Sequence, residues 1–164
     1  MNVESAAKSR SLWRVFVVFT VICVVIGAVA FELYQVYLQN LARNIPVGDI
    51  NVDQARFLIQ YDSTLKIVDV RTPEEYSSGH IKGAINLCLT CALNSSCSPC
   101  SVKNFSIQIA YFLSLNDRIL VYCKAGSRSA QMKAFLLNNS YINVYNMIGG
   151  IDEWMKTGYP ITTD

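Results

Sequence analysis

The sequence predicts a three-layer α/β fold with a central parallel sheet, preceded by one transmembrane helix. Three observations carry that prediction. From residue 46 onwards, short apolar runs alternate with segments of helical periodicity, the order in which βαβ units are laid down. One of those runs, Ile119 to Cys123, is almost continuously apolar or aromatic, as a strand is when both faces of its sheet are covered. Finally, Val15 to Phe31 runs for seventeen residues without a charge; as a helix this is roughly 25 Å long.

That uncharged run divides the chain. Residues 1–14 form a basic flank, with Lys8, Arg10 and Arg14 against Glu4. Residues 15–38 read as a transmembrane helix or signal anchor, 39–45 as a stalk ended by Pro46, and 46–164 as the globular domain. Trp13 on one side and Tyr34 and Tyr37 on the other suit the two membrane interfaces. The basic flank places the amino terminus in the cytoplasm and the domain outside it. Ala28-Val29-Ala30 resembles a signal-peptidase site, but the apolar run is longer than a signal core, which favours an uncleaved anchor. Cys23, within the span, reads as an apolar filler.

In the domain, a strand end at Ile50 precedes a helix starting near Asn51, with Val52, Ala55, Leu58 and Ile59 at helical spacing. Leu65–Val70 is a buried strand, broken by Arg71-Thr72-Pro73 before a short helix over Glu74–Ser77. Ala84–Leu87 is a further strand, Ser101–Leu115 a helix, Ile119–Cys123 the central strand and Val144–Ile148 the last strand. A net charge of +2 with no basic stripe or aromatic platform excludes nucleic acid as a partner.

The chemistry concentrates after the central strand, in Cys123-Lys124-Ala125-Gly126-Ser127-Arg128-Ser129. A thiol at the carboxyl end of a parallel strand, followed by a Gly-bearing turn and a helix start, meets unpaired N–H groups and the positive end of the helix dipole. These favour thiolate over thiol. Lys124 and Arg128 add cationic side chains, so the loop is expected to attract an anionic substrate. The alternative is a core cysteine before an ordinary strand-to-helix turn.

Here the sequence resembles the rhodanese family of sulfurtransferases, whose active loop has a cysteine followed five residues later by an arginine, as Cys123 and Arg128 are. IVDVRTPEEYSSGHIKGAINL (Ile67 to Leu87) resembles that family's first conserved block, and GGIDEWMKTGYPI (Gly149 to Ile161) its terminal block. The resemblance implies a rhodanese-like three-layer fold over residues 46–164. It implies Cys123 as nucleophile, a substrate-binding loop of Lys124, Ala125, Gly126, Ser127, Arg128 and Ser129, and a supporting position for Asp69 and Arg71. Arg71 is expected to pair with Asp69, Glu74 or Glu75 and pin the loop after its strand. His80, the single histidine, and Trp154 read as structural.

Between Leu87 and the next helix lies a four-cysteine insert, residues 88–100, with Cys88, Cys91, Cys97 and Cys100 in two C-x-x-C pairs. In an exported domain two disulfides are the simplest outcome, ahead of one tetrahedral zinc and of a dithiol relay to Cys123. The family resemblance offers no guidance on the insert.

The expected reaction moves sulfane sulfur from a small anionic donor such as thiosulfate, or from a persulfide, to a thiol or cyanide-like acceptor through a persulfide on Cys123. It requires no metal or organic cofactor. Two rivals stand beside it: a non-enzymatic sulfur-carrier or partner-binding module, and a phosphatase or arsenate reductase-like enzyme. Dual-specificity phosphatases place five residues between cysteine and arginine, whereas four intervene here, Lys124 to Ser127.

Overall fold

The structure is a computed structural model that describes residues 3–89 and 102–163. It divides into an amino-terminal unit, Met1–Leu41, and a compact domain, Ala42–Asp164. Helix α1 runs unbroken over Val3–Arg43, so the expected span and stalk form one continuous helix. Trp13–Arg43 is long and apolar enough to cross a membrane. Cys91, Cys97, Cys100 and the expected helix start at Ser101 lie outside the described residues.

The domain holds strands β1 (Asp49–Ile50), β2 (Leu65–Asp69), β3 (Ile85–Asn86), β4 (Arg118–Tyr122) and β5 (Val144–Met147). They form one five-stranded sheet in the order β1-β5-β4-β2-β3. Every pairing is parallel. The α/β expectation therefore holds; β2, β3 and β5 are shorter by a residue or two than their predicted runs, while β4 keeps the predicted length but is displaced by one residue, ending at Tyr122 rather than Cys123. Val70, for example, leaves β2 while its N–H still bonds the Tyr122 carbonyl.

The sheet is covered on both faces, which is why its strands carry unbroken apolar runs. On one side, α4 (Val102–Phe112) and α5 (Ser127–Asn138) pack Phe105, Ile109, Met132 and Leu136 against Val68, Ile119 and Val121. On the other, α2 (Val52–Tyr61) and α6 (Gly150–Lys156) pack Val52, Ala55, Leu58 and Trp154 against Ile67, Leu120 and Tyr145. Successive residues of β4 alternate between these cores, as the pleat dictates. Tyr122 falls on the α2/α6 side and Cys123 on the α4/α5 side.

Local chemistry sets the helix starts. Asn51 caps α2, accepting from the Gln54 N–H while Gln54 reaches back to the Asn51 N–H. Thr72 caps the short helix α3 (Pro73–Ser77) in the same way, with Glu75 as the returning partner and Pro73 at its first position. Where the chain enters the domain, the Arg118 guanidinium donates to the carbonyls of Ala42 and Arg43, at 3.3 and 3.2 Å. The same group pairs with the buried Asp62 carboxylate at 2.6 Å.

Candidate active site

The loop after β4 is built by two glycine-bearing turns pressed together. Gly126 adopts φ +105°, in the left-handed region, and starts α5 without a side-chain cap. Helix α6 begins at Gly150, φ +60°, directly beneath the loop. A Cβ on Gly150 would fall 2.4 Å from the carbonyl oxygens of both Cys123 and Lys124. The Ile151 N–H donates to the Cys123 carbonyl at 2.9 Å and the Asp152 N–H to the Lys124 carbonyl at 3.1 Å. These two bonds hold the first loop carbonyls down on α6, leaving the N–H groups that follow free to face the sulfur.

They do face it. The Gly126 N–H donates to Cys123 Sγ at 3.0 Å. The Ser129 hydroxyl lies 3.5 Å from Sγ and 3.0 Å from the Gly126 carbonyl oxygen. The sulfur thus takes the place that a capping oxygen holds at an ordinary helix start. Burial pushes the Cys123 thiol up, but the Ser129 hydroxyl and the N–H groups of Ser129, Gly126 and Ala125 outweigh it, so its pKa falls below the ordinary thiol value. Cys123 has no exposed surface of its own, and Ser129 beside it is also buried. Above them Lys124, Ala125 and Ser127 are exposed, while Gly126 and Arg128 are half-buried.

Arg128 has a partner within the domain. Its guanidinium does not stand open to an incoming anion: it is held by Glu75 of α3 in a two-pronged pair, Nη1 to Oε2 at 2.6 Å and Nη2 to Oε1 at 2.8 Å. The pair holds the Glu75 carboxyl down at about 2, chiefly through the Arg128 hydrogen bonds and against a smaller upward push from burial. Glu75 had been one of three partners anticipated for Arg71. Arg71 instead grips Asp69, with Nη2 to Oδ2 at 2.7 Å and its own N–H to Oδ1 at 2.9 Å, and donates to the Gly79 carbonyl at 2.6 Å.

Asp69 and Arg71 therefore pin the turn after β2. The Arg71 guanidinium lies 5.8 Å from the centroid of Tyr122, whose side chain belongs to the core opposite Cys123. His80 is buried, stacks on Tyr76 with ring centroids 3.7 Å apart, and has Nδ1 3.1 Å from the Tyr76 carbonyl oxygen. Trp154 is buried, its indole donating to the Pro160 carbonyl at 2.9 Å. Cys88 follows β3 at the same, carboxyl, end of the sheet as Cys123. Among the described residues no cluster of side chains suited to a metal is present.

Two functional residues escaped the sequence reading. Glu75 sits 53 positions from Arg128, and its place as the returning partner of the Thr72 cap was the one signal that its carboxylate is fixed. The closeness of Gly150 to the Cys123 carbonyl is a tertiary contact with no local signature.

A cysteine at a strand end, its thiol pKa lowered by a hydroxyl and main-chain N–H groups at a helix start, is the arrangement of an α/β domain suited to sulfur chemistry. Residues 52–157 match the family model described as a rhodanese-like domain, and the chain belongs to that family. Thiosulfate sulfurtransferase 16, chloroplastic, of Arabidopsis thaliana is 36% identical over 96 residues, which cover 58% of this chain and 78% of that protein. Thiosulfate sulfurtransferase GlpE of Haemophilus influenzae is 30% identical over 119 residues, 73% of this chain and 98% of that one. Among solved structures, the rhodanese-related protein of Thermoplasma volcanium superposes with a TM-score of 0.54 at 25% identity, covering 71% of this chain and 98% of its own.

Proposed function

We propose that this chain is a membrane-anchored sulfurtransferase that carries sulfane sulfur on Cys123. The observation that carries the reading is Sγ standing at 3.0 Å from the Gly126 N–H, at an uncapped helix start. In the first step the Cys123 thiolate attacks the outer sulfur of thiosulfate; the new S–S bond forms as the old one breaks, and sulfite departs with the bonding pair. In the second, a thiophile such as cyanide or a thiolate attacks the outer sulfur of the persulfide, and Cys123 leaves as thiolate. The N–H groups of Ala125, Gly126 and Ser129 stabilise the negative charge wherever it rests during this exchange.

Helix α1 anchors the domain through a single pass, with the basic flank in the cytoplasm and the domain outside. In such a compartment the four-cysteine insert is disulfide-bridged. Relatives named as thiosulfate sulfurtransferases support the choice of donor.

The test is thiocyanate formation from thiosulfate and cyanide by the full chain in detergent micelles, alongside Cys123→Ser. Turnover is expected in the parent and background in the variant. An unchanged rate in the variant, or hydrolysis of an aryl phosphate in place of sulfur transfer, overturns the proposal.

A further inference from the structure

We propose that Glu75 is a specificity-determining positioning residue, which neutralises the Arg128 fork and thereby turns the site away from doubly charged donors such as thiosulfate and towards singly charged persulfides. The inference rests on the sulfurtransferase reading of Cys123 and adds to it the class of donor preferred.

The geometry makes Glu75 a fixed counter-charge rather than a passing surface partner. Its carboxylate engages both terminal nitrogens of Arg128, at 2.6 and 2.8 Å. The same carboxylate accepts from the Thr72 N–H at 3.0 Å, while the Glu75 N–H returns to the Thr72 hydroxyl at 3.2 Å. Three donors thus hold it, one of them the cap of α3, and its side chain is only 30% exposed. An isolated surface pair has no such anchoring.

The charge count at the loop follows. Asp69 and Arg71 cancel each other in a buried pair. Glu75 cancels Arg128. Among the described residues of the loop, what remains is the exposed Lys124, beside Cys123, whose direct partners are N–H groups and a hydroxyl. With Cys123 as the attacking thiolate, these described residues offer no excess positive charge to a donor. Thiosulfate brings two negative charges and a terminal persulfide one, so the long-range field penalises the former more. Freeing Arg128 would reverse this, because a planar guanidinium suits the oxygens of a sulfonate-like group.

The test measures kcat/KM of the full chain in detergent micelles for thiosulfate and for 2-mercaptoethanol persulfide, which carries a single negative charge, with cyanide as acceptor, in the parent and in Glu75→Gln. The expected result is a shift of the thiosulfate-to-persulfide ratio towards thiosulfate by about 3- to 10-fold, carried by KM and shrinking as salt rises. In an Arg128→Met background the same change at Glu75 is expected to move the ratio less than in the parent, because no guanidinium is freed to meet the sulfonate-like oxygens. A purely structural Glu75 would slow both donors by one factor, and that outcome, or an unmoved ratio, overturns the inference. A parent enzyme that transfers sulfur from neither donor defeats the sulfurtransferase reading itself, and this inference falls with it.

Discussion

Two carboxylate–guanidinium pairs stand at the same end of the sheet and have opposite characters. In Asp69–Arg71 the side chains are 0% and 7% exposed; in Glu75–Arg128 they are 30% and 22% exposed. The first lies two residues apart in sequence and pins a turn; the second spans 53 residues and joins α3 to the loop after β4. Burial decides what each can do. A pair without water is costly to break and contributes rigidity, whereas a half-wet pair adds little stability and keeps its charges within reach of solvent and substrate. The contrast teaches that the same two groups serve as a pin where water is shut out and as a field-setting device where it is not.

The sharpest way to break the comparison is to remove one partner from the dry pair. Arg71→Ala leaves the Asp69 carboxylate buried without its cation and the Gly79 carbonyl without its donor, and is expected to cost about 3 to 5 kcal/mol in chemical denaturation. A loss under about 1 kcal/mol would show that the turn relaxes to admit water. At the opposite end of β4, Arg118→Ala supplies an intermediate case. Asp62 is buried, but Arg118 is one-fifth exposed and also holds two backbone carbonyls. A loss of about 2 kcal/mol is expected by the same measurement.

The smallest effect belongs to Glu75. Its carboxyl is held at about 2 in the folded chain, below the ordinary value of 4.5. A depressed folded-state value adds stability that is fully present above the unfolded value, and that is lost as pH falls from about 4.5 towards 2. Glu75→Gln should therefore flatten that acid limb of the thermal unfolding curve while leaving stability near neutrality within about 1 kcal/mol of the parent. A steeper acid limb in the variant would contradict the assignment.

Much of this arrangement was legible in the residues because it depends on local pattern. The run Ile119–Cys123 announced a strand covered on both faces, and Leu120, Val121 and Tyr122 are indeed wholly buried. Asn51 and Thr72, each followed three residues later by Gln54 or Glu75, carry helix starts in their spelling. Cys123 before Gly126 pointed to the turn where main-chain N–H groups meet the sulfur. The partner of Arg128 was not legible, since Asp69, Glu74 and Glu75 all lie within four positions of Arg71 and only the tertiary contact between α3 and the loop selects Glu75 for Arg128. Nor was the hold of Arg118 on the Ala42 and Arg43 carbonyls, which joins positions 75 and 76 apart. Long-range pairings leave no periodic trace.

The alternation along β4 has one more consequence. Because neighbouring residues of a strand point to opposite sides, a slip of β4 by a single position would carry the phenol of Tyr122 under the glycine turn and turn the thiol into the other core. Such slippage threatens strands at the margin of a sheet, with one partner and few bonds, as β1 and β3 are with two residues each. β4 lies in the middle, locked in step with β2 over five residue pairs and with β5 over three. The Cys123 sulfur thus follows directly from the strand least free to misalign.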